Sequence, residues 1–88
     1  MIIGKVIGTV VSTRKNQNLT GSKLMIVEAM ADMACQRLVA VDNVGAGVGE
    51  LVLVATGSAA RVGTGNENAP VDALIVGIVD SAEQIRIG

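Results

Sequence analysis

Four carboxylates, one thiol and a glycine-rich run are the parts of this chain with residue types and spacing that could do chemistry. Asp42, Glu50, Asp72 and Asp80 each stand at the end of an apolar stretch, and a pair of them could shuttle protons or hold a divalent cation. Aspartates at strand ends more commonly accept hydrogen bonds from turn amides, and no two of these form a supporting pair. The hydroxyls of Ser12, Thr13, Thr56 and Ser58 lack a base, since the chain contains no histidine, and Gly57-Ser58-Ala59-Ala60 is not a nucleophile elbow. The same absence excludes histidine-based acid–base catalysis and His-ligated metal sites. Cys35, the one cysteine, cannot form an internal disulfide and reads as a small free thiol near Arg37. No catalytic, cofactor-binding or metal-ligating residue is therefore expected.

The run Gly45-Ala46-Gly47-Val48-Gly49 invites a nucleotide-binding reading, but that chemistry needs a helix N-terminus after the loop to receive the pyrophosphate. Here Leu51-Val52-Leu53-Val54 follows, which reads as a strand, and no Gly-Lys-Ser/Thr is present. A steric role fits better: the loop brings backbones together where side chains would clash, as around a symmetry axis.

The elements that must position these residues are strands. Fourteen Val, eight Ile and five Thr are β-branched, stiff at χ1 and suited to a pleated surface. Residues 2–13 predict one long coiled strand, because Gly4 and Gly8 would each cost a helix about 1 kcal/mol. Glycines inside a strand also suggest a bend or a close backbone approach, as at the corner of a small barrel. Residues 14–22 (RKNQNLTGS) predict an exposed loop. Strands are expected at 23–27, buried on both faces, and at 37–41, joined through a stretch at 28–36 that could hold a helical turn. A fourth strand is expected at 51–55. A long irregular connection follows over 57–72, with one short helical turn near Ser58 to Arg61 capped by Ser58. A strand at 73–79 and a short terminal one at 85–87 complete the reading. Five main strands without a crossover helix predict an all-β fold, a single-domain OB-like antiparallel barrel that removes its own edges.

Composition narrows the function. Seven basic and eight acidic side chains leave a net charge of −1, and Lys15, Lys23, Arg14 and Arg61 are too dispersed for a basic patch. With no Phe, Trp or Tyr there are no stacking platforms for bases. No nucleic-acid partner is expected. Nor is a membrane partner, because no run approaches the roughly 20 apolar residues of a span and the first residues do not read as a signal peptide. Yet half the residues are hydrophobic and only 17% are charged. A folded monomer of 8.9 kDa would expose about 4,800 Å², more than so few charges cover. Burial against other subunits resolves this, with Met25, Met30 and Met33 as core or interface filler.

Several stretches carry a resemblance to a known family. They are Gly4-Lys5-Val6-Ile7-Gly8-Thr9-Val10-Val11-Ser12-Thr13, Leu19-Thr20-Gly21-Ser22-Lys23-Leu24, Val39-Ala40-Val41-Asp42 and Val44-Gly45-Ala46-Gly47-Val48-Gly49-Glu50. Val52-Leu53, Gly57-Ser58-Ala59-Ala60-Arg61, Val71-Asp72-Ala73 and Ile75-Val76-Gly77-Ile78-Val79-Asp80 continue the series in the same order. Together they resemble the EutN/CcmL family of bacterial microcompartment shell vertex proteins. Departures fall mainly in 28–36 and 62–70, and Ala59 stands where the family usually has a second serine.

The resemblance implies a five-stranded OB-like barrel forming homopentamers, without catalytic activity or cofactor, at the fivefold vertices of a polyhedral shell in the bacterial cytoplasm. A homohexamer is the less favoured alternative, because sequence does not fix how many wedge-shaped subunits close a ring. It implies hexameric shell proteins as partners, Gly45, Ala46 and Gly47 near the fivefold axis, and Arg61 and Asp72 at the subunit seam. The alternative from another class is an OB-fold binding module for an oligonucleotide or oligosaccharide. The missing aromatics and near-neutral charge weigh against it.

Overall fold

The computed structural model describes residues 1–12, 16–19, 21–30, 36–66 and 68–88. Five strands, β1 (Ile2–Val10), β2 (Lys23–Ala29), β3 (Arg37–Asp42), β4 (Leu51–Thr56) and β5 (Ala73–Val79), form a closed barrel in the order β1-β2-β3-β5-β4. One helix, α1 (Ser58–Gly63), lies between β4 and β5.

The expectation of an antiparallel barrel is corrected at one seam: β3 and β5 run parallel, through Val41↔Leu74 and Asp42↔Ile75. Parity requires it. Around a closed ring of five strands, direction cannot alternate at every contact, so one pair must be parallel. The short β3–β5 register is that pair, and the other four contacts are antiparallel.

The glycine argument for β1 holds at Gly4, where an added Cβ would lie 2.8 Å from the Glu28 carbonyl oxygen. The bend comes at a bulge: Val6 faces Val27, Gly8 faces Ile26, and Ile7 is the extra residue. β1 stops at Val10 rather than running to residue 13, because its partner β2 supplies nothing beyond the Val10↔Leu24 pair. Glu28 and Ala29 belong to β2, not to a helical turn. The rest of the expected turn at 31–35, with Met33 and Cys35, lies outside the described residues. β2 buries Met25, Val27 and Ala29 but leaves Leu24 and Ile26 half-covered, so it is not buried on both faces.

The barrel interior holds Val6, Met25, Val27, Ala40, Val52, Val54 and Ile75, all aliphatic or small. A second cluster of Val41, Ala60, Ala69, Val71 and Leu74 packs α1 and the chain after it onto one end of the barrel. Helix α1 starts as expected, but its cap is Gly57 and not Ser58, which is already helical. Gly57 adopts φ +66°, a left-handed conformation that turns the chain sharply out of β4 and that a β-carbon disfavours. No strand forms at 85–87. After β5 come a 3₁₀ turn at Ala82–Gln84 and an extended segment. Among the described residues, no helix is long and apolar enough to cross a membrane.

Candidate functional site

The glycine loop between β3 and β4 is held by three side chains and by β1. Asp42 is buried and accepts from the Val44 amide at 3.0 Å and the Ala46 amide at 2.9 Å. Glu50 accepts from the Gly47 amide at 2.6 Å. Lys23, at the start of β2, donates to the Ala46 carbonyl at 2.7 Å and lies 3.5 Å from the Asp42 carboxylate. The Gly49 amide donates to the Val6 carbonyl, and the Val6 amide to the Glu50 carbonyl, which continues the β1 ladder into the loop. Two carboxylates that could have been proton shuttles are therefore occupied in organising backbone.

The three small residues differ in what they do. Ala46 is 0% exposed and its methyl group belongs to the barrel core, so it anchors the loop and does not line an outer surface. Gly45 is exposed at φ +87° with open space where a side chain would stand. Gly47 is half-buried, and an added Cβ would meet only the Glu50 Oε1, at 3.3 Å. Val44 and Val48 are exposed beside them, the latter at 62%. Sequence reasoning singled out the glycines and expected strand-end carboxylates to accept from turn amides, as Asp42 and Glu50 do, but missed the Lys23 fastening. The signal for the carboxylates was present, since an acidic residue stands at each end of the run.

Arg61 and Asp72 lie near the same end of the barrel, because the Gly57 amide that opens α1 donates to the Asp72 carbonyl at 2.9 Å. Both side chains are exposed, and they do not pair with each other. Beside Asp72 runs an apolar groove of about 240 Å³ lined by Leu19, Leu24, Val39, Pro70 and Val71. A larger recess of about 470 Å³, near Asn18, Ser22, Asp42, Asn43, Thr64 and Asn66, offers amides and hydroxyls with no histidine. Among the described residues, no group of three acidic or cysteine side chains is placed to hold a metal ion.

The outer surface is larger than mass alone predicts and carries several aliphatic side chains. The chain exposes 5547 Å², against about 4,800 Å² expected for its mass. Ile7, Val39, Val48, Val62 and Val76 contribute large exposed side chains. Ile7 and Val76 stand at the two register shifts of the barrel.

Fold and site together define a small OB-like barrel whose polar groups organise loops and whose outer face is rich in aliphatic side chains. Residues 1–80 match the family model described as ethanolamine utilisation protein EutN/carboxysome, and the chain belongs to this EutN/CcmL family. It is 49% identical to the bacterial microcompartment shell vertex protein GrpN of Rhodospirillum rubrum, over 98% of this chain and all of that one. It is 54% identical to the carboxysome shell vertex protein CcmL of Synechocystis, over 92% of this chain and 84% of that one. Among solved structures, the GrpN pentameric microcompartment shell protein from R. rubrum superposes with a TM-score of 0.79 at 48% identity, covering 92% of this chain and 96% of that one.

Proposed function

We propose that residues 1–88 form one domain that assembles as a homopentamer and caps the fivefold vertices of a bacterial microcompartment shell in the cytoplasm. Its role is structural and not enzymatic, and its partners are further copies of itself and the hexameric proteins of the shell facets. The observation that carries this reading is the likeness to a pentameric shell protein along nearly the whole chain. The exposed Ile7, Val39, Val48, Val62 and Val76 side chains fit burial against neighbouring subunits.

The mechanism is geometric. A flat sheet of hexamers cannot close on itself, and twelve fivefold units supply the curvature of an icosahedral body. Subunits around such a ring meet head to tail, one patch against a different patch on the neighbour. In this arrangement Gly45 and Gly47 lie near the axis, where small residues let five backbones converge, and Ala46 secures the loop to its own barrel. Arg61 and Asp72 stand at the seam. Two fastened carboxylates and the absence of histidine support a non-catalytic role.

Native mass spectrometry tests the reading. Five copies of 8.9 kDa give a particle of about 44.5 kDa. A pentamer is the expected result; a hexamer would keep the family and overturn the fivefold geometry, and a stable monomer would overturn the ring.

A further inference from the structure

The segment after β5 ends in Ile85-Arg86-Ile87, an apolar–basic–apolar alternation that pairs with no strand of its own chain. The Gln84 side-chain oxygen accepts from the Asp80 amide at 2.9 Å and the Ser81 amide at 3.3 Å, closing the 3₁₀ turn and setting the direction in which the segment leaves. Ile85 is extended (φ −91°, ψ 111°), and Ile87 is 87% exposed. The family model stops at residue 80, and the alignment with GrpN runs on over 98% of this chain.

At the other end of β5 lies the groove of Leu19, Leu24, Val39, Pro70 and Val71. Val39 is 51% exposed there. Asp72 is the charged residue of its lining among the described residues, and neither Asp72 nor Arg86 makes an ion pair. An unfilled apolar groove with one acidic residue and an unpaired segment of two isoleucines around one arginine are complementary in both hydrophobicity and charge.

They cannot meet within one chain. The seven residues of β5 separate them by about 23 Å. The seven steps from Asp80 to Ile87 would reach about 24 Å when fully extended, and the 3₁₀ turn over Ala82–Gln84, rising about 2 Å per residue, shortens that to about 21 Å. We propose that residues 85–87 of one subunit dock in the Leu19–Leu24–Val39–Val71 groove of the next, with Arg86 against Asp72. The inference rests on the ring assembly proposed above. It supplies what a head-to-tail ring needs, two different patches at opposite ends of one strand.

Cross-linking and charge exchange test it. In a Cys35→Ser background, Val39→Cys with Ile87→Cys is expected to give, under mild oxidation, a ladder of covalently joined subunits on denaturing gels. Ile87→Cys alone is expected to give none. Arg86→Asp or Asp72→Arg should each raise the concentration needed for ring formation by about tenfold, and the double exchange should restore it. A native pentamer with no ladder and no response to either charge change would overturn this inference and leave the ring standing. A disulfide closed within one chain would overturn it too. A monomeric wild-type chain would overturn both this inference and the proposed function.

Discussion

The glycine loop and the segment after β5 are both irregular backbone, and they differ in where their polar and apolar groups go. In the loop, the amides of Val44, Ala46 and Gly47 end on carboxylates of the same chain, and Ala46 plugs the same chain's core. In the segment, one glutamine closes a single turn, Ile85 is half-buried, and Arg86 and Ile87 are exposed. A loop that satisfies its own groups shapes the subunit. A segment that leaves Arg86 and Ile87 exposed is free, in the docking proposed above, to find its counterpart on the next subunit.

The largest effect that would break this contrast is at Asp42. Asp42→Ala removes two hydrogen bonds to a buried carboxylate and leaves the Ala46 amide without its acceptor, at a cost of about 3 kcal/mol. Urea unfolding at fixed protein concentration measures it, and a loss below about 1 kcal/mol would mean the loop is not held as described. Next is Gly47→Leu. Its backbone is not left-handed, and its Cβ would meet the Glu50 Oε1 at 3.3 Å, a tight contact relieved by a shift of a few tenths of an ångström in that side chain, so the subunit should lose about 1 kcal/mol. The pentamer, in contrast, should be lost on native mass spectrometry, because with the loop at the proposed axis five leucines would crowd one another there. An unchanged pentamer would remove the loop from the axis.

Much of this architecture was legible from residue types. The runs of Val and Ile located all five strands, and Gly4 proved to sit where another chain segment approaches. The parallel β3–β5 seam was also implicit, since five strands closing into a ring force it, but strand propensity is blind to direction. The cap of α1 was misread because serine is a common N-cap, whereas the sharp exit from β4 needs the left-handed φ of Gly57. The apolar alternation at 85–87 suggested a strand, and no open partner edge exists beside it in its own barrel. For the candidate site, the glycines and flanking acids were readable. The burial of Ala46 was not, because an alanine between two glycines carries no sign of which way it faces.

Lys23→Met sharpens the account of the loop by removing its most exposed fastening. The lysine side chain is 51% exposed, so losing its 2.7 Å bond to the Ala46 carbonyl should cost only about 1 kcal/mol. The loss should be smaller than at Asp42 and visible as a modest drop in the urea midpoint. A cost equal to that of Asp42→Ala would mean that the lysine, not the carboxylate, organises the loop.

The smallest effect on the subunit is expected at Gln84, and there the two regions separate most cleanly. Gln84→Ala deletes the acceptor for two exposed amides that water can satisfy, so subunit unfolding should change by about 0.5 kcal/mol. That same oxygen closes the turn from which residues 85–87 leave, and without it the segment would have to be ordered at the moment of the proposed docking. Ring formation should therefore weaken by about threefold to tenfold, read as a shift in the concentration at which pentamer gives way to monomer. A variant with unchanged assembly would mean that the turn merely ends β5. A variant that loses assembly while keeping its urea midpoint would tie a bond internal to one subunit to the contact between two.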